Sequence, residues 1–220
     1  WIYNQSPLTI ACIGGYPKIV ASLIEAGAKV NQNSRDAVSP LILTIKMASM
    51  NYISEYKDCI KILLDNKANI NQVDEATGDT PLIMSIGKDT FEIFKEILSH
   101  HPNVNARNKS GETALYNIVA NTKIDNNRQQ YLDAIINYKP PDTSDSETTK
   151  KKNGNLACDM QMRYQQGKTI LHISVENGKK NESIVQTILD KSGLDVDVED
   201  DNGDTPLHLA AQKEFEPGIE

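Results

Sequence analysis

One repeated phrase limits what this chain can fold into. Gly203-Asp204-Thr205-Pro206-Leu207-His208-Leu209-Ala210-Ala211 has weaker copies at Asn4-Gln5-Ser6-Pro7-Leu8, Ala37-Val38-Ser39-Pro40-Leu41, Gly78-Asp79-Thr80-Pro81-Leu82, Gly111-Glu112-Thr113-Ala114-Leu115 and Gly167-Lys168-Thr169-Ile170-Leu171. At the Pro position the spacings are 33, 41, 33, 56 and 36 residues, so a unit of 33 carries excesses of 0, 8, 0, 23 and 3. A period in this range means stacked units, each too small to bury its apolar face alone and each completed by its neighbours.

Every copy has a local mechanism. Gly, where present, permits the positive φ of a tight turn. Ser or Thr offers a hydroxyl to the orphan N–H groups at a helix start. Pro follows at the first helical position, where its missing N–H costs nothing. Leu8, Ala11 and Cys12 then predict a short helix with a close-packing face, and Ile19-Val20-Ala21-Ser22-Leu23-Ile24 a second helix of apolar 3.6 period. Gly27 is the left-handed residue that ends it. Lys67 in repeat two and His101 in repeat three stand where that Gly belongs, at an expected cost of roughly 1–2 kcal/mol each.

These residues resemble the ankyrin repeat. The pattern Gly-x-Thr-Pro-Leu-His-x-Ala-Ala, then a Leu-Leu pair, then Gly-Ala-x-Val-Asn, is legible in Ser6–Asn31, Ser39–Asn71, Thr80–Asn105 and Thr169–Asp197, and the resemblance extends from Asn4 to Lys213. It implies an all-α solenoid of stacked helix-turn-helix pairs with β-hairpin fingers along one edge. The expected division is repeat 1 (4–36), repeat 2 with an insert near Asn51–Glu55 (37–76), repeat 3 (77–109), repeat 4 (110–139), a flexible insert (140–166), repeat 5 (167–200) and a truncated repeat 6 (201–220). Repeat 4 has Ala114 for the Pro and Tyr116 for the His, so the middle of the array is expected to be its weakest part. The polar, aperiodic 140–166 insert reads as a tolerated surface loop, or as a site of partner contact or of phosphorylation at Ser144 or Ser146. Both ends lack a polar cap, so the chain reads as a piece of a longer, monomeric array.

Composition excludes several functions. The net charge is −7, and the excess of acid lies in residues 111–220, with 12 basic against 19 acidic side chains, while residues 1–110 balance at 11 each. Such a charge disfavours DNA and anionic lipid. Aromatics at 5% leave no stacking platform for single-stranded nucleic acid, and no run of 18 apolar residues exists for membrane insertion. Cys12, Cys59 and Cys158, odd in number and far apart, suit a reducing compartment, cytoplasm or nucleus, better than a disulfide framework.

No catalytic, metal or cofactor pattern emerges. His172 and His208 hold the fourth place of the Thr-Pro-Leu-His phrase, where the resemblance implies hydrogen bonding to adjacent turns. His100 and His101 are sequence neighbours and do not face each other on a helix. The acidic run Asp195–Asp204 fails as a calcium loop: counted from Asp197, Asn202 falls at the Gly position and His208 at the bidentate Glu position. It reads as a solvated finger of repelling carboxylates. Walker, dinucleotide-binding and nucleophile-elbow motifs are missing, so the expectation is a chain that is not an enzyme and takes no cofactor.

By resemblance, recognition falls to the concave face. The candidate partner-binding residues are Gln5, Ile13, Val38, Lys46, Met47, Asp79, Lys88, Glu112, Asn121, Lys168, Glu176 and Asp204. Ile13, Val38 and Met47 gather near the N-terminal end, whereas Asp79, Glu112 and Asp204 favour a basic segment of a protein partner. The alternative is that these are unconstrained solvent positions. Another alternative is a regulatory or substrate-recruiting domain of a larger enzyme or channel. Asn31, Asn71 and Asn105 close their repeats, and the resemblance implies that they tie neighbouring fingers, with asparaginyl hydroxylation as a secondary possibility.

Overall fold

The structure, a computed structural model, describes residues 5–32, 38–51, 54–121, 127–141, 157–176, 178–191 and 194–214. Eleven α-helices occur among them: α1 (Pro7–Ile13), α2 (Pro17–Glu25), α3 (Pro40–Asn51), α4 (Ser54–Asp65), α5 (Pro81–Met84), α6 (Phe91–Ser99), α7 (Ala114–Ala120), α8 (Arg128–Ile136), α9 (Ile170–Glu176), α10 (Glu182–Leu189) and α11 (Pro206–Glu214). Odd-numbered helices stack on one another in an inner row, the even-numbered helices from α2 to α10 form an outer row, and each inner helix from α1 to α9 packs on its outer partner. The array is the solenoid that the period demanded.

The helix starts follow their residues. Ser6 Oγ accepts from Thr9 N–H at 3.1 Å, Ser39 Oγ from Ile42 N–H at 3.3 Å, Thr80 Oγ1 from Ile83 N–H at 3.3 Å and Thr113 Oγ1 from Tyr116 N–H at 3.2 Å. Each bond satisfies one orphan donor, a contribution of about 1 kcal/mol. The outer helices end as expected: Gly27, Lys67 and His101 all take positive φ, at 92°, 65° and 59°. Between the rows runs one continuous core, in which Cys12, Val20, Ile60, Leu63, Phe94, Ile97, Ile118, Tyr131, Ile170 and Ile188 are fully buried. Outside it, Lys57–Glu92, Lys61–Glu96 and Asp65–His100 form a ladder joining α4 to α6.

Three features differ from the sequence reading. The fingers form as tight turns, and no β-strand occurs among the described residues. Each described finger is closed by a backbone bond across its base, such as Asp74 N–H to Asp79 O and Asn108 N–H to Glu112 O, both 2.9 Å. One such bond per finger is too few for a ladder. In repeat two, α3 and α4 are longer than α1 and α2 by five and three residues, so most of the extra length goes into the two helices, and one extra residue falls between Lys67 and Pro81, in the finger. Residues 157–166 form a finger and its approach, with Tyr164 N–H bonded to Lys168 O at 2.8 Å. Residues 142–156, with Ser144 and Ser146, lie outside the described residues.

The inter-helix junctions are linked through side chains. Arg128, 8% exposed, donates from Nε to Ile118 O at 2.7 Å and from Nη1 to Asn181 Oδ1. Asn181 Nδ2 donates in turn to Ser174 O at 2.9 Å. Burial pulls the Arg128 pKa below its ordinary value.

Candidate partner-binding face

Three equivalent positions build the inner edge. The residue before the Thr or Ser is Gln5, Val38, Asp79, Glu112, Lys168 or Asp204. The residue seven after the Thr or Ser is Ile13, Lys46, Gly87, Ala120, Glu176 or Gln212. The third position, at the finger base, holds Asp74, Asn108, Tyr164 and Asp200, each closing its finger across to the residue before the next Thr. Sequence reasoning missed this third column. Its signal is a fixed place five residues before the Thr, or six in the case of Asp74.

Charge is distributed unevenly along it. Lys46 Nζ sits 2.7 Å from Asp74 Oδ1, and Thr77 Oγ1 donates to Asp74 Oδ2 at 3.2 Å. Burial raises the Asp74 pKa, but the Lys46 bond and charge, with Thr77, outweigh it and hold the carboxyl below its ordinary value. One repeat on, Asn108 Nδ2 donates to Asp79 Oδ1 at 2.8 Å and to Glu112 Oε2 at 3.1 Å. These two carboxylates therefore share a neutral donor, and neither has a cationic partner among the described residues. In repeat five Lys168 Nζ pairs with Glu176. The acidic run is only partly the solvated finger expected. Asp195, Asp197, Glu199 and Asp201 are exposed, but Asp200 is 7% exposed and its Oδ1 accepts from the N–H groups of Asn202 (2.8 Å) and Asp204 (3.1 Å).

Between the fingers at Asn108–Glu112 and Tyr164–Lys168 lies a cleft of about 180 Å³, lined by Arg107, Glu112, Tyr116, Arg163 and Tyr164 among others. The Tyr116 and Tyr164 rings meet at 4.9 Å, and Arg107 lies over Tyr164 at 5.2 Å. Arg107 donates to Gly111 O at 2.8 Å and to Arg163 O in the next finger at 2.6 Å; Arg163 repeats this with Gly167 O and Glu199 O, at 2.9 and 2.8 Å. The two arginines thus clamp successive fingers through backbone carbonyls.

Of the candidate residues, Gln5, Ile13, Val38, Lys46, Met47, Asp79, Glu112, Asn121, Lys168, Glu176 and Asp204 are half-buried, and Lys88 is exposed. Hydrogen bonds join Asp79 to Glu112 through Asn108, Lys168 to Glu176, and Lys46 to Asp74. The asparagines make long-range ties. Asn31 accepts from Asn69 N–H at 2.8 Å and donates to Lys67 O at 3.0 Å, Asn71 accepts from Asn103 N–H at 2.8 Å, and Asn105 joins Ala157 O and Asp159 N–H, both at 2.9 Å.

His172 is wholly buried. Its Nδ1 accepts from Thr169 N–H at 3.2 Å, which leaves the proton on Nε2 to donate to Asp204 O at 3.0 Å. His208 Nδ1 likewise accepts from Thr205 N–H at 3.1 Å. All three cysteines are free thiols, and burial pushes the pKa of Cys12 up to about 11 and those of Cys59 and Cys158 to about 12. At such values the nucleophilic thiolate is scarce. Among the described residues no helix is long and apolar enough to cross a membrane.

Comparison with known proteins agrees with this geometry. The family description "Ankyrin repeats (3 copies)" matches residues 45–138 and 147–219, and "Ankyrin repeat" matches 3–36. The chain is 32% identical over 95 residues to the ankyrin repeat and KH domain-containing protein mask-1 of Caenorhabditis elegans, covering 43% of this chain and 4% of that protein. It is 26% identical over 162 residues to the putative ankyrin repeat protein FPV031 of fowlpox virus, covering 72% and 44%. The human B-cell lymphoma 3 protein matches at 28% over 148 residues, 52% of this chain and 33% of that one. The chain thus spans less than half the length of each of these relatives. Among solved structures, the ankyrin repeat domain of Bcl-3 superposes with a TM-score of 0.69 at 21% identity, covering 94% of this chain and 78% of that one. An ankyrin repeat domain from Acinetobacter baumannii gives 0.72 at 17%, covering 95% and 92%.

Proposed function

Because this chain belongs to the ankyrin repeat family, whose repeats are generally protein–protein interaction modules, we propose that it is a non-catalytic module gripping a partner protein segment along its concave face and fingers. The observation that carries this is the graded inner edge. Half-buried Ile13, Val38 and Met47 stand at one end, and carboxylates held only by a neutral amide, Asp79 and Glu112, follow. Apolar side chains anchor the segment, and charge complementary to a basic partner sets its rate and selectivity. Three free thiols suit action in the cytoplasm or nucleus.

Affinity purification with the array as bait supplies the partner, and quantitative binding then tests the face. Replacing Val38 and Met47 together by Ala weakens binding by about 1–3 kcal/mol. Glu112→Lys with Asp204→Lys slows association. Undiminished binding by both double variants removes the concave face from the reading.

A second reading, recruitment for a catalytic or channel domain elsewhere in a longer protein, draws on the small share of the KH-domain relatives that the chain matches. Hydroxylation of Asn31, Asn71 and Asn105 is a lesser proposal, since each carboxamide is engaged in a finger tie. Intact mass unchanged by even one oxygen after treatment with an asparaginyl hydroxylase removes it.

A further inference from the structure

The chain contains its own template for one contact that it leaves unmade. Asp74 and Asp200 occupy the same place in their fingers, each closing onto the residue before the Thr of the next inner helix. Facing Asp74 is Lys46, seven residues after Ser39 in the preceding repeat, with its ammonium 2.7 Å from the carboxylate. The same place relative to Thr169 holds Glu176, an acid. Asp200 is 7% exposed, its Oδ1 is committed to two backbone N–H groups, and its Oδ2 is buried with no hydrogen-bond partner among the described residues.

A buried carboxylate oxygen without a donor is costly. The Asn202 and Asp204 N–H groups, with His172 and Lys168, outweigh the effect of burial and keep the carboxyl below its ordinary pKa. Protonation is therefore not the remedy. Lys168, the cation whose charge acts on Asp200, is paired with Glu176 instead.

We propose that the buried carboxylate of Asp200, at the finger base whose equivalent positions hold Glu176 and Asp204, is a socket for a lysine ammonium of the bound partner, set where Lys46 meets Asp74 three junctions earlier. The proposal rests on the concave-face reading and adds the chemistry of one subsite. The ammonium donates to Asp200 Oδ2, while the Glu176 and Asp204 carboxylates attract it to the rim. Entry displaces a side chain, and the Lys168–Glu176 pair, with side chains 17% and 34% exposed, is the movable one.

The test uses the whole 220-residue chain, isotope-labelled, titrated with a short alternating Gly-Lys peptide and with the same peptide acetylated on every lysine. The free-amine peptide should give saturable shifts of the Asp200 carboxyl carbon and of the Asn202 and Asp204 amides; the acetylated peptide should not. Asp200→Asn keeps the Oδ1 acceptor for the finger and should weaken binding roughly tenfold. Glu176→Lys rebuilds the Lys46–Asp74 arrangement within the chain, so it should raise the melting temperature and abolish the peptide shifts. Equal binding by Asp200→Asn, or shifts confined to the exposed Asp195 and Asp197, overturns the socket. If Val38→Ala with Met47→Ala weakens partner binding while Asp200→Asn does not, the concave-face reading survives and the socket alone falls.

Discussion

Three equivalent helix ends isolate the energetics of one backbone conformation. Gly27, Lys67 and His101 all have positive φ, and each donates its N–H to the carbonyl three residues back: Ile24, Leu64 and Leu98. A side chain there costs roughly 1–2 kcal/mol, while Gly gives back about 0.5–1 kcal/mol through unfolded-state entropy. Lys67→Gly should therefore stabilise by about 0.5–1 kcal/mol. Lys67 is exposed and its carbonyl bond from Asn31 survives the substitution. Gly27→Ala should lose a similar amount through conformation, because a Cβ at Gly27 meets no atom of the described residues within 4 Å. His101→Gly also forfeits the 3.3 Å bond between Nδ1 and Tyr138 Oη, about 0.5–1.5 kcal/mol, so it should come out near neutral. Urea unfolding followed by far-UV circular dichroism measures all three; in melting temperature, 1 kcal/mol is about 2–4 °C for a chain this size. A Lys67→Gly protein less stable than the parent refutes the strain argument, whatever Gly27→Ala does.

Three further outcomes follow from single contacts. Asn71→Ala removes the acceptor for Asn103 N–H and should cost about 0.5–1.5 kcal/mol, visible as faster hydrogen exchange at Asn103. Tyr164→Phe breaks the 2.8 Å bond to the buried Thr113 hydroxyl and should cost about 0.5–1.5 kcal/mol in the same urea assay. The depressed pKa of Asp74 adds stability that is complete above the unfolded value of about 3.9 and is lost as pH falls through the lower folded value. Lys46→Met should flatten that acid limb of the stability–pH curve, and an unchanged limb would mean that Lys46 is not its source.

Much of this architecture is written locally. Caps at Ser6, Thr80 and Thr113 and the left-handed ends at Lys67 and His101 depend on one residue and its immediate chain, so spacing alone located them. The added helix length of repeat two was not legible as helix, because spacing reports an insertion's length and not its conformation. The missing clue was chemical: Lys46-Met47-Ala48-Ser49-Met50-Asn51 contains no Gly or Pro to break a helix. Asp200 was misread for a different reason. Its neighbours are exposed acids, and only the finger's closure turns that one carboxylate inward to two N–H groups.

Repeat four shows why departures from a repeat pattern have to be weighed in pairs. In repeat five, His172 Nδ1 lies 2.8 Å from the Thr169 hydroxyl while its Nε2 reaches Asp204 O, so one imidazole joins a helix start to the following finger. Repeat four has Tyr116 in place of that His, which taken alone would leave the buried Thr113 hydroxyl without this link. The following finger, however, carries Tyr164 where Asp74, Asn108 and Asp200 stand elsewhere, and its phenol reaches the Thr113 hydroxyl directly. The Tyr116 ring packs against that same tyrosine. An inter-repeat connection made outward through a histidine in one repeat is made inward through a tyrosine in another. Loss of the histidine is therefore not by itself a reason for the middle of the array to be weak.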